Sequence, residues 1–513
     1  MHIDYVKKLF EINMALSQEK NIYALVDNIV LLTRSFTHAD AGTLYLREGS
    51  KLYFKVVQTG SLNINLGGKN GDIDWPPVEL ENEDGTKNFT NVSAVATITG
   101  KTIVIDDCYN EKHFDFSGTK KFDKLNGYRT KSMIVIPLKD FDNDVIGVIQ
   151  LINKRDITTG EIIGFGTFDR ESSIALASQA TISILNVKLF EELEQFLERF
   201  MKAIGEAIDK KSPYTGNHVK KVATFVKLVT EAIGKDQNQY KHITYDINRN
   251  RVLEIASWLH DVGKISTPDH IMDKATKLEK VFDKIELIKE RFEIIKRDVK
   301  IDFLENKISD NSFNLKISQL NDDFKFLQSI NLGDIYMSEE KVARVYRISK
   351  YRYNCGNNSV AVLRDDDIEN LLIKKGTLTE SERDIIMGHA RMTYKILKDI
   401  PFPKKFLDAK HIASNHHEKL NGKGYPRGLN SESLSLDDRI LAISDVFEAL
   451  SSGDRPYKKP KKLSDIFKIL SFMVKDGDID GDIVKLIFNS KVYLDYAKRE
   501  MLEEQIDEPK LFF

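Results

Sequence analysis

The first 170 residues mix the periodicities of helices and strands. Residues 23–37 follow a helical pattern, whereas 42–46 and 52–57 read as strands. Two further apolar runs, 132–138 and 145–151, are separated by Asp-Asn-Asp, which favours a hairpin turn. This pattern predicts an α+β domain over residues 1–169, with an antiparallel sheet that carries helices on one face.

A long amphipathic helix follows this domain. Gly and Pro are scarce from about residue 168 to 209, and apolar residues recur three and four positions apart. They are Ile182, Leu185, Leu189, Leu193, Phe196 and Phe200. Such a stripe packs either on its own domain or along a parallel coiled coil between two subunits. Because the stripe outlasts the domain before it, we interpret residues 170–197 as a dimerisation helix and expect a homodimer.

Residues 198–513 have a helical pattern throughout, which predicts an all-α domain. Between about 278 and 373, apolar positions spaced by three or four lie among alternating charges. We interpret this segment as a helical insertion, either a hairpin or an antenna. Three roles are open for this insertion: a solvated protrusion without a function of its own, a lid, or an arm that binds a protein partner.

The composition of the chain argues against several classes of protein function. Lys and Arg total 76 against 78 Asp and Glu, so the chain lacks the basic character that binding of polymeric nucleic acid requires. Two cysteines are too few for a disulfide framework or a thiolate metal site. No run reaches the ~18 apolar residues of a membrane span. We therefore expect a cytoplasmic protein without a membrane partner.

Histidines are concentrated in the C-terminal half, where eight of the 11 lie between His218 and His417. Two adjacent pairs, His260-Asp261 and His416-His417, place polar side chains next to each other. Such pairs are difficult to bury unless a divalent ion compensates them. With His218 at the start of an apolar helix and Asp445 downstream, the pattern predicts a metal site.

Several segments resemble the HD superfamily of metal-dependent phosphohydrolases, and in particular its HD-GYP subgroup. These segments are HDVGK at His260, Pro268-Asp269, HHEKLNGKGYPRGL from His416, DRILAISDVFEAL from Asp438 and Arg455-Pro456-Tyr457-Lys458. The resemblance implies a phosphodiesterase that hydrolyses cyclic di-GMP to pGpG, with further hydrolysis to GMP left open. The metal ligands that it implies are His218, His260, Asp261, His389, His416, His417 and Asp445.

The chemistry of the reaction agrees with this ligand set. A phosphodiester anion resists attack by water, and two divalent ions both activate water and neutralise charge. The resemblance places Asp261 between two ions, and Tyr214 stands where some members have a Glu for a third ion. His and Asp ligands without Cys suit iron or manganese. We predict Asp261 and Lys264 as catalytic residues, with Lys264 stabilising charge on the transition state.

The resemblance also implies substrate contacts at Lys264, Glu448, Arg455 and Lys458. For the last two, a solvated basic segment is the alternative interpretation. The alternative functions are hydrolysis of another cyclic nucleotide or dinucleotide, and a weakly active effector that binds a dinucleotide or a protein. The effector alternative rests on Asn421 and Ser212, which replace family Asp residues. The loop 424–426 is a second candidate surface for a protein partner.

The N-terminal domain resembles GAF domains, which sense small molecules. The resemblance rests on residues 128–133, residues 147–154, and Phe165 with Asp169 downstream. Asn153 and Lys154 match a motif of GAF domains that bind cyclic nucleotides, but Arg170 stands where that motif has Glu. Asn153 and Lys154 alternatively only stabilise the fold. We therefore expect a sensor domain whose ligand is unknown.

Overall fold

The computed structural model describes residues 2–211, 217–356, 358–452 and 460–513. The chain divides into two compact units, residues 1–196 and 197–513. The helix that follows the sheet domain contributes residues to both units. The division between the units lies next to the predicted boundary between the linker helix, residues 170–197, and the helical domain, residues 198–513.

The first unit is an α+β domain. Its elements in chain order are α1 (His2–Gln18), α2 (Ile22–Thr37), β1 (Ala39–Glu48), β2 (Lys51–Thr59), β3 (Ile64–Gly67), β4 (Val78–Glu79), α3 (Val92–Thr99), β5 (Ile103–Ile105), α4 (Ser117–Asn126), β6 (Met133–Lys139), β7 (Val145–Arg155), β8 (Ile162–Ile163) and α5 (Thr167–Asp209). The main sheet has the antiparallel order β3-β2-β1-β7-β6-β5, and the predicted β6–β7 hairpin is confirmed, with Met133 opposite Ile152.

Helices cover both faces of this sheet, not one face as predicted. Side chains alternate between faces along a strand. Leu44 and Ile134 accordingly belong to a core shared with α2 and α5, whereas Tyr45 and Val135 belong to a second core with α3. The short apolar helix α3, which the strand pattern did not reveal, covers the second face.

The predicted long helix is present as α5, which has 43 residues. Residues Leu176 to Val187 supply one buried face to the sheet core. The predicted stripe lies on another face, and Leu189, Leu193 and Phe196 are 64%, 49% and 61% exposed. Of the described residues, α5 alone is long and apolar enough by composition to cross a membrane, and 44% of its most apolar window is buried inside the protein.

The second unit is mainly helical, as predicted. Its elements are α6 (His218–Lys235), α7 (Ile247–Leu259), α8 (Asp269–Met272), α9 (Ile285–Leu304), α10 (Asp310–Asn331), α11 (Glu339–Ile348), β9 (Arg352–Cys355), β10 (Asn358–Ala361), α12 (Asp365–Leu371), α13 (Glu380–Leu397), α14 (Ala409–Asn415), α15 (Leu436–Ser451), α16 (Leu463–Lys475), α17 (Gly481–Ser490) and α18 (Val492–Glu500). Helices α6, α7 and α14 to α18 share one apolar core with the end of α5.

The insertion is a compact subdomain with its own core, where we predicted a hairpin or an antenna. Its buried apolar residues run from Leu278 to Leu371, and its strands β9 and β10 form a two-stranded sheet. The two ends meet, because the buried Lys277 side chain donates to the carbonyl of Ile373 (2.8 Å). Periodicity revealed the helices, including the consecutive pair α9 and α10, but not the shared core, since that core also joins segments that are distant in sequence.

Candidate metal centre

The structure brings all seven candidate ligands into one cluster. His218 begins α6, His260 and Asp261 follow α7, His389 lies in α13, His416 and His417 follow α14, and Asp445 lies in α15. Among the described residues, three groups place ligand atoms within 4.8 Å of one another: His389 with His416 and His417, His218 with His260 and Asp445, and His260 with Asp261 and His416. Together these groups contain every candidate.

Asp261 joins the two halves of this cluster. Its Oδ2 lies 3.2 Å from Nε2 of His260 and 3.5 Å from Nε2 of His218. Its Oδ1 lies 3.5 Å from Nε2 of His389 and 3.9 Å from Nε2 of His416. One carboxylate thus presents a different oxygen atom to each pair of imidazoles, as a bridging ligand does.

Asp445 repeats this relationship on the other side of the cluster. Its Oδ1 lies 3.2 Å from Nε2 of His218 and 3.7 Å from that of His260, and its Oδ2 lies 3.9 Å from Nδ1 of His417. Oxygen and imidazole nitrogen atoms in this number fit first-row divalent ions.

Backbone carbonyls orient three of the imidazoles. Nδ1 of His260, His389 and His416 lies 2.8, 2.5 and 2.7 Å from the carbonyl oxygen three residues earlier on its own helix. A proton on Nδ1 donates to each carbonyl and leaves the lone pair of Nε2 directed at the cluster. This is the usual arrangement around metal-binding histidines.

His218 is oriented by a side chain instead. Its Nδ1 forms a hydrogen bond with Oε2 of Glu448, one turn beyond Asp445 on α15. The Glu448 side chain is only 2% exposed. We predicted Glu448 as a substrate contact, but burial and this bond favour a role in holding His218.

Burial and charge divide the histidines into two classes. Burial lowers the pKa of His218, but its hydrogen bonds with Asp261, Asp445 and Glu448 outweigh that effect and hold the pKa well above its ordinary value. The pKa of His260 is raised too, since its neighbouring carboxylates outweigh burial. Protons on these two imidazoles offset the negative charge of the neighbouring carboxylates. Divalent ions would displace these protons on binding.

The second class consists of His389, His416 and His417. Burial lowers the pKa of His389, and it lowers the pKa of His417 to about 4. Burial, followed by the neighbouring His417, holds the pKa of His416 well below its ordinary value. All three imidazoles are therefore neutral near pH 7, which is the state that binds a metal ion.

Lys264 lies at the rim of the cluster. It belongs to the 3-10 helix Val262–Ser266, and its Nζ is 2.5 Å from Oδ2 of Asp261. Its side chain remains 26% exposed. The ammonium group therefore stands between the buried carboxylate and solvent, where a phosphate group would approach.

Close packing on α13 sets the position of the His260–Lys264 segment. A side chain on Gly263 would place its Cβ 2.0 Å from the carbonyl oxygen of His389, so only glycine fits. Thr393, one turn later on α13, accepts a hydrogen bond from the amide of Gly263 (3.0 Å). The sequence had not singled out Thr393, because an isolated helical Thr carries no distinctive signal.

Glu418 organises the loop beside His417. Its buried carboxylate accepts hydrogen bonds from the amides of Arg427 (2.7 Å) and Leu429 (2.8 Å). The loop places the ring of Tyr425 4.8 Å from that of His417. Gly424 has a negative φ, so it is needed for close approach: a Cβ there would lie 2.4 Å from the amide nitrogen of Lys419.

Asn421 does not act on the cluster. Its amide group donates to Oδ1 of Asp478 (2.8 Å) and to the carbonyl of Asp476 (3.0 Å). An Asp at this position would face the Asp478 carboxylate, so the substitution fits local packing. The other predicted substrate contacts, Arg455 and Lys458, lie outside the described residues, as do Ser212 and Tyr214.

In the first unit, the predicted sensor motif forms structural contacts. Lys154 lies 2.5 Å from Asp169 at the start of α5. Buried Asn153 accepts from the amide of Lys131 (2.7 Å) and donates to the carbonyl of Arg129 (2.8 Å). These bonds support the interpretation that Asn153 and Lys154 stabilise the fold.

Comparison with known families agrees with this architecture. Residues 21–184 match the model of the GAF domain, and residues 342–483 match that of the HD domain. The chain therefore combines a GAF domain with an HD domain. The HD match contains His389, His416, His417 and Asp445, whereas His218, His260 and Asp261 precede it.

Three relatives are similar to parts of this chain. The 3'3'-cGAMP-specific phosphodiesterase 1 of Vibrio cholerae is 37% identical, covering 24% of this chain and 28% of the relative. The cyclic di-GMP phosphodiesterase of Thermotoga maritima is 39% identical over a region that covers 20% of this chain and 27% of the relative. The cyclic di-GMP phosphodiesterase response regulator RpfG of Xanthomonas campestris is 36% identical over a region that covers 24% of this chain and 30% of the relative. The matched regions thus span less than a third of each relative.

Proposed function

We propose that this protein is a metal-dependent phosphodiesterase that hydrolyses cyclic di-GMP to pGpG, with further hydrolysis to GMP left open. The observation that carries the proposal is the position of Asp261, whose two oxygen atoms face separate pairs of imidazoles. The partial similarity to cyclic dinucleotide phosphodiesterases supports the same substrate class.

The seven clustered side chains would hold two divalent ions, with iron or manganese as the metals that suit the donor set. Bound ions of this kind activate water and neutralise charge on a phosphodiester. Glu448 keeps Nδ1 of His218 occupied, so that Nε2 points into the cluster. Lys264 would stabilise negative charge on a phosphate oxygen, and it is also a candidate proton donor to the leaving oxygen. Arg455 and Lys458 remain predicted contacts to phosphate groups of the substrate.

A homodimer joined through α5 fits the exposed stripe from Leu189 to Phe196. We propose that the GAF domain binds a small ligand and regulates the HD domain, and that the protein acts in the cytoplasm. The insertion and the loop around Tyr425 are candidate surfaces for a protein partner.

Hydrolysis of 3'3'-cGAMP is the second candidate, because one relative is named for that substrate. Metal ligands do not contact bases, so both substrates fit the same cluster. Chromatography of the products formed from each dinucleotide by the purified full chain discriminates between them. If the protein is instead an effector that binds a dinucleotide without hydrolysing it, chromatography would show only unchanged substrate in both reactions.

The metal assignment is tested with His260→Ala and Asp261→Ala. Both variants should lose hydrolysis and bind less metal, because each removes a ligand from the centre of the cluster. His242→Ala is the control, since His242 is exposed and outside the cluster. Full hydrolysis by metal-depleted Asp261→Ala protein would refute the proposal.

A further inference from the structure

Lys211 lies just beyond the end of α5 and contacts the segment that carries Lys264. Its ammonium group donates hydrogen bonds to the carbonyl oxygens of Lys264 (3.2 Å), Ile265 (3.0 Å) and Thr267 (2.6 Å). It also lies 3.3 Å from Asp269, whose side chain is 71% exposed. One side chain thus contacts three carbonyls of a single turn.

These carbonyls lie at and just beyond the end of the 3-10 helix Val262–Ser266, where that of Lys264 also accepts a hydrogen bond from the amide of Thr267 (3.0 Å). The last carbonyls of a helix have no intrahelical donor, and a lysine there is favourable both as a donor and as a charge. The ammonium of Lys211 therefore stabilises the backbone from which Lys264 reaches Asp261.

The end of α5 is packed closely on neighbouring elements of the site. A Cβ on Gly205 would lie 2.3 Å from the carbonyl oxygen of Trp258, two residues before His260. The ammonium of Lys202 lies 4.9 Å from the centre of the Trp258 ring. Asp209 accepts a long hydrogen bond from the amide of Val219 (3.4 Å), next to His218. A shift of this end of α5 would therefore alter the supports of His218, His260 and Lys264 together.

Resting on the proposed phosphodiesterase function, we propose that Lys211 is a positioning residue. Lys211 holds the turn that carries Lys264, and the linker helix controls the reaction through this contact. When the end of α5 moves away, the turn loses its three hydrogen bonds and Lys264 leaves its catalytic position. The proposal assigns regulation to a contact within the second unit.

The test compares Lys211→Met with Lys211→Arg in the full chain. Lys211→Met should lower kcat roughly 10- to 100-fold, the scale of a catalytic group displaced by about 1 Å, with KM and metal content unchanged. Lys211→Arg should restore part of the rate, because a guanidinium also donates to carbonyls. Lys210→Met is the matched control, since Lys210 is the adjacent exposed lysine.

A double variant identifies the residue through which Lys211 acts. In a Lys264→Ala background, Lys211→Met should cause no further loss of kcat. Multiplied losses would show that Lys211 acts by another route, and parallel loss of metal would show a general structural role. Either result overturns the proposal.

Hydrogen exchange tests the contact even if the protein hydrolyses none of the dinucleotides offered. Amides of Lys264 and Thr267 should exchange about 10-fold faster in Lys211→Met, because a tenfold change corresponds to ~1.4 kcal/mol, the size of one charge-assisted hydrogen bond. If Lys211→Met does not fold, Lys211→Gln replaces it; this variant removes the charge but keeps a shorter amide donor, so the acceleration should be smaller. Unchanged exchange at both amides refutes the positioning role, whereas inactivity of the wild type refutes only the proposed substrates.

Discussion

The hydroxyl group of Thr393 donates a hydrogen bond to the carbonyl oxygen of His260 over 2.9 Å. The Oγ1 atom of this hydroxyl group also accepts a hydrogen bond from the amide of Gly263, so one buried side chain links α13 to both ends of the His260–Gly263 segment. This link sets the distance between the half of the cluster that contains His260 and the half that contains His389.

Thr393→Val should therefore affect both stability and metal binding. Valine keeps the shape but leaves a buried carbonyl and a buried amide unpaired, which lowers the free energy of unfolding by about 1–3 kcal/mol. Urea unfolding and metal content measure the two effects. Thr224→Val is the control, because the Thr224 hydroxyl forms an exposed bond on α6. An equal loss in both variants would contradict a special role for Thr393.

Lys264→Ala should reduce kcat while the metals stay bound. An ammonium group is not a metal ligand, and the loss of one electrostatic contact to the transition state lowers kcat by roughly 10²-fold or more. Single-turnover kinetics together with metal analysis check this outcome. If metal content fell in proportion to activity, Lys264 would serve the cluster through its bond with Asp261.

Glu448→Gln distinguishes the two interpretations of Glu448. If the carboxylate holds His218, the amide should weaken metal affinity roughly 10- to 100-fold with little change in KM at saturating metal. If Glu448 instead contacts substrate, KM should rise while metal affinity stays constant. Metal titration and steady-state kinetics on the same preparation separate these results.

The buried Lys277 predicts a pH dependence of the insertion. Burial lowers the pKa of Lys277 to about 8, below the ordinary value of 10.5. Between these values the unfolded chain binds more protons than the folded chain, so stability should rise with pH from about 8 to 10. The rise is at most about 3 kcal/mol for this shift.

Hydrogen exchange of the insertion amides at pH 7 and pH 9.5 measures this rise. Comparison with Lys277→Met isolates the contribution of Lys277, because the variant has no titrating group at this position. A rise of the same size in Lys277→Met would assign the pH dependence to other residues.

Insertion of two residues after Glu194 tests communication along α5. Two helical residues rotate one end of the helix against the other by about 200° with little change in length. A coupled enzyme should change its basal rate or lose its response to a GAF ligand. Wild-type rate, dimerisation and response together would show that α5 is an inert tether.

Much of the fold could be predicted because it depends on local patterns. The β6–β7 hairpin, the length of α5 and the helices of the second unit follow from periodicity and turn residues that lie close together in sequence. The local pattern did not predict which faces of these elements pack together. The helix α3 on the second face of the sheet and the separate core of the insertion both depend on contacts between distant segments.

The sequence alone predicted a metal site and its candidate ligands, because adjacent His-Asp and His-His pairs are rarely buried unless a divalent ion compensates them. Only the tertiary structure decided what each side chain faces. His218 and Glu448 are separated by 230 positions, yet they share a hydrogen bond that orients the imidazole. The two oxygen atoms of Asp261 face different imidazoles because α6, α7, α13 and α14 converge on one carboxylate. Packing of the apolar faces of these helices sets that convergence, and no motif encodes it.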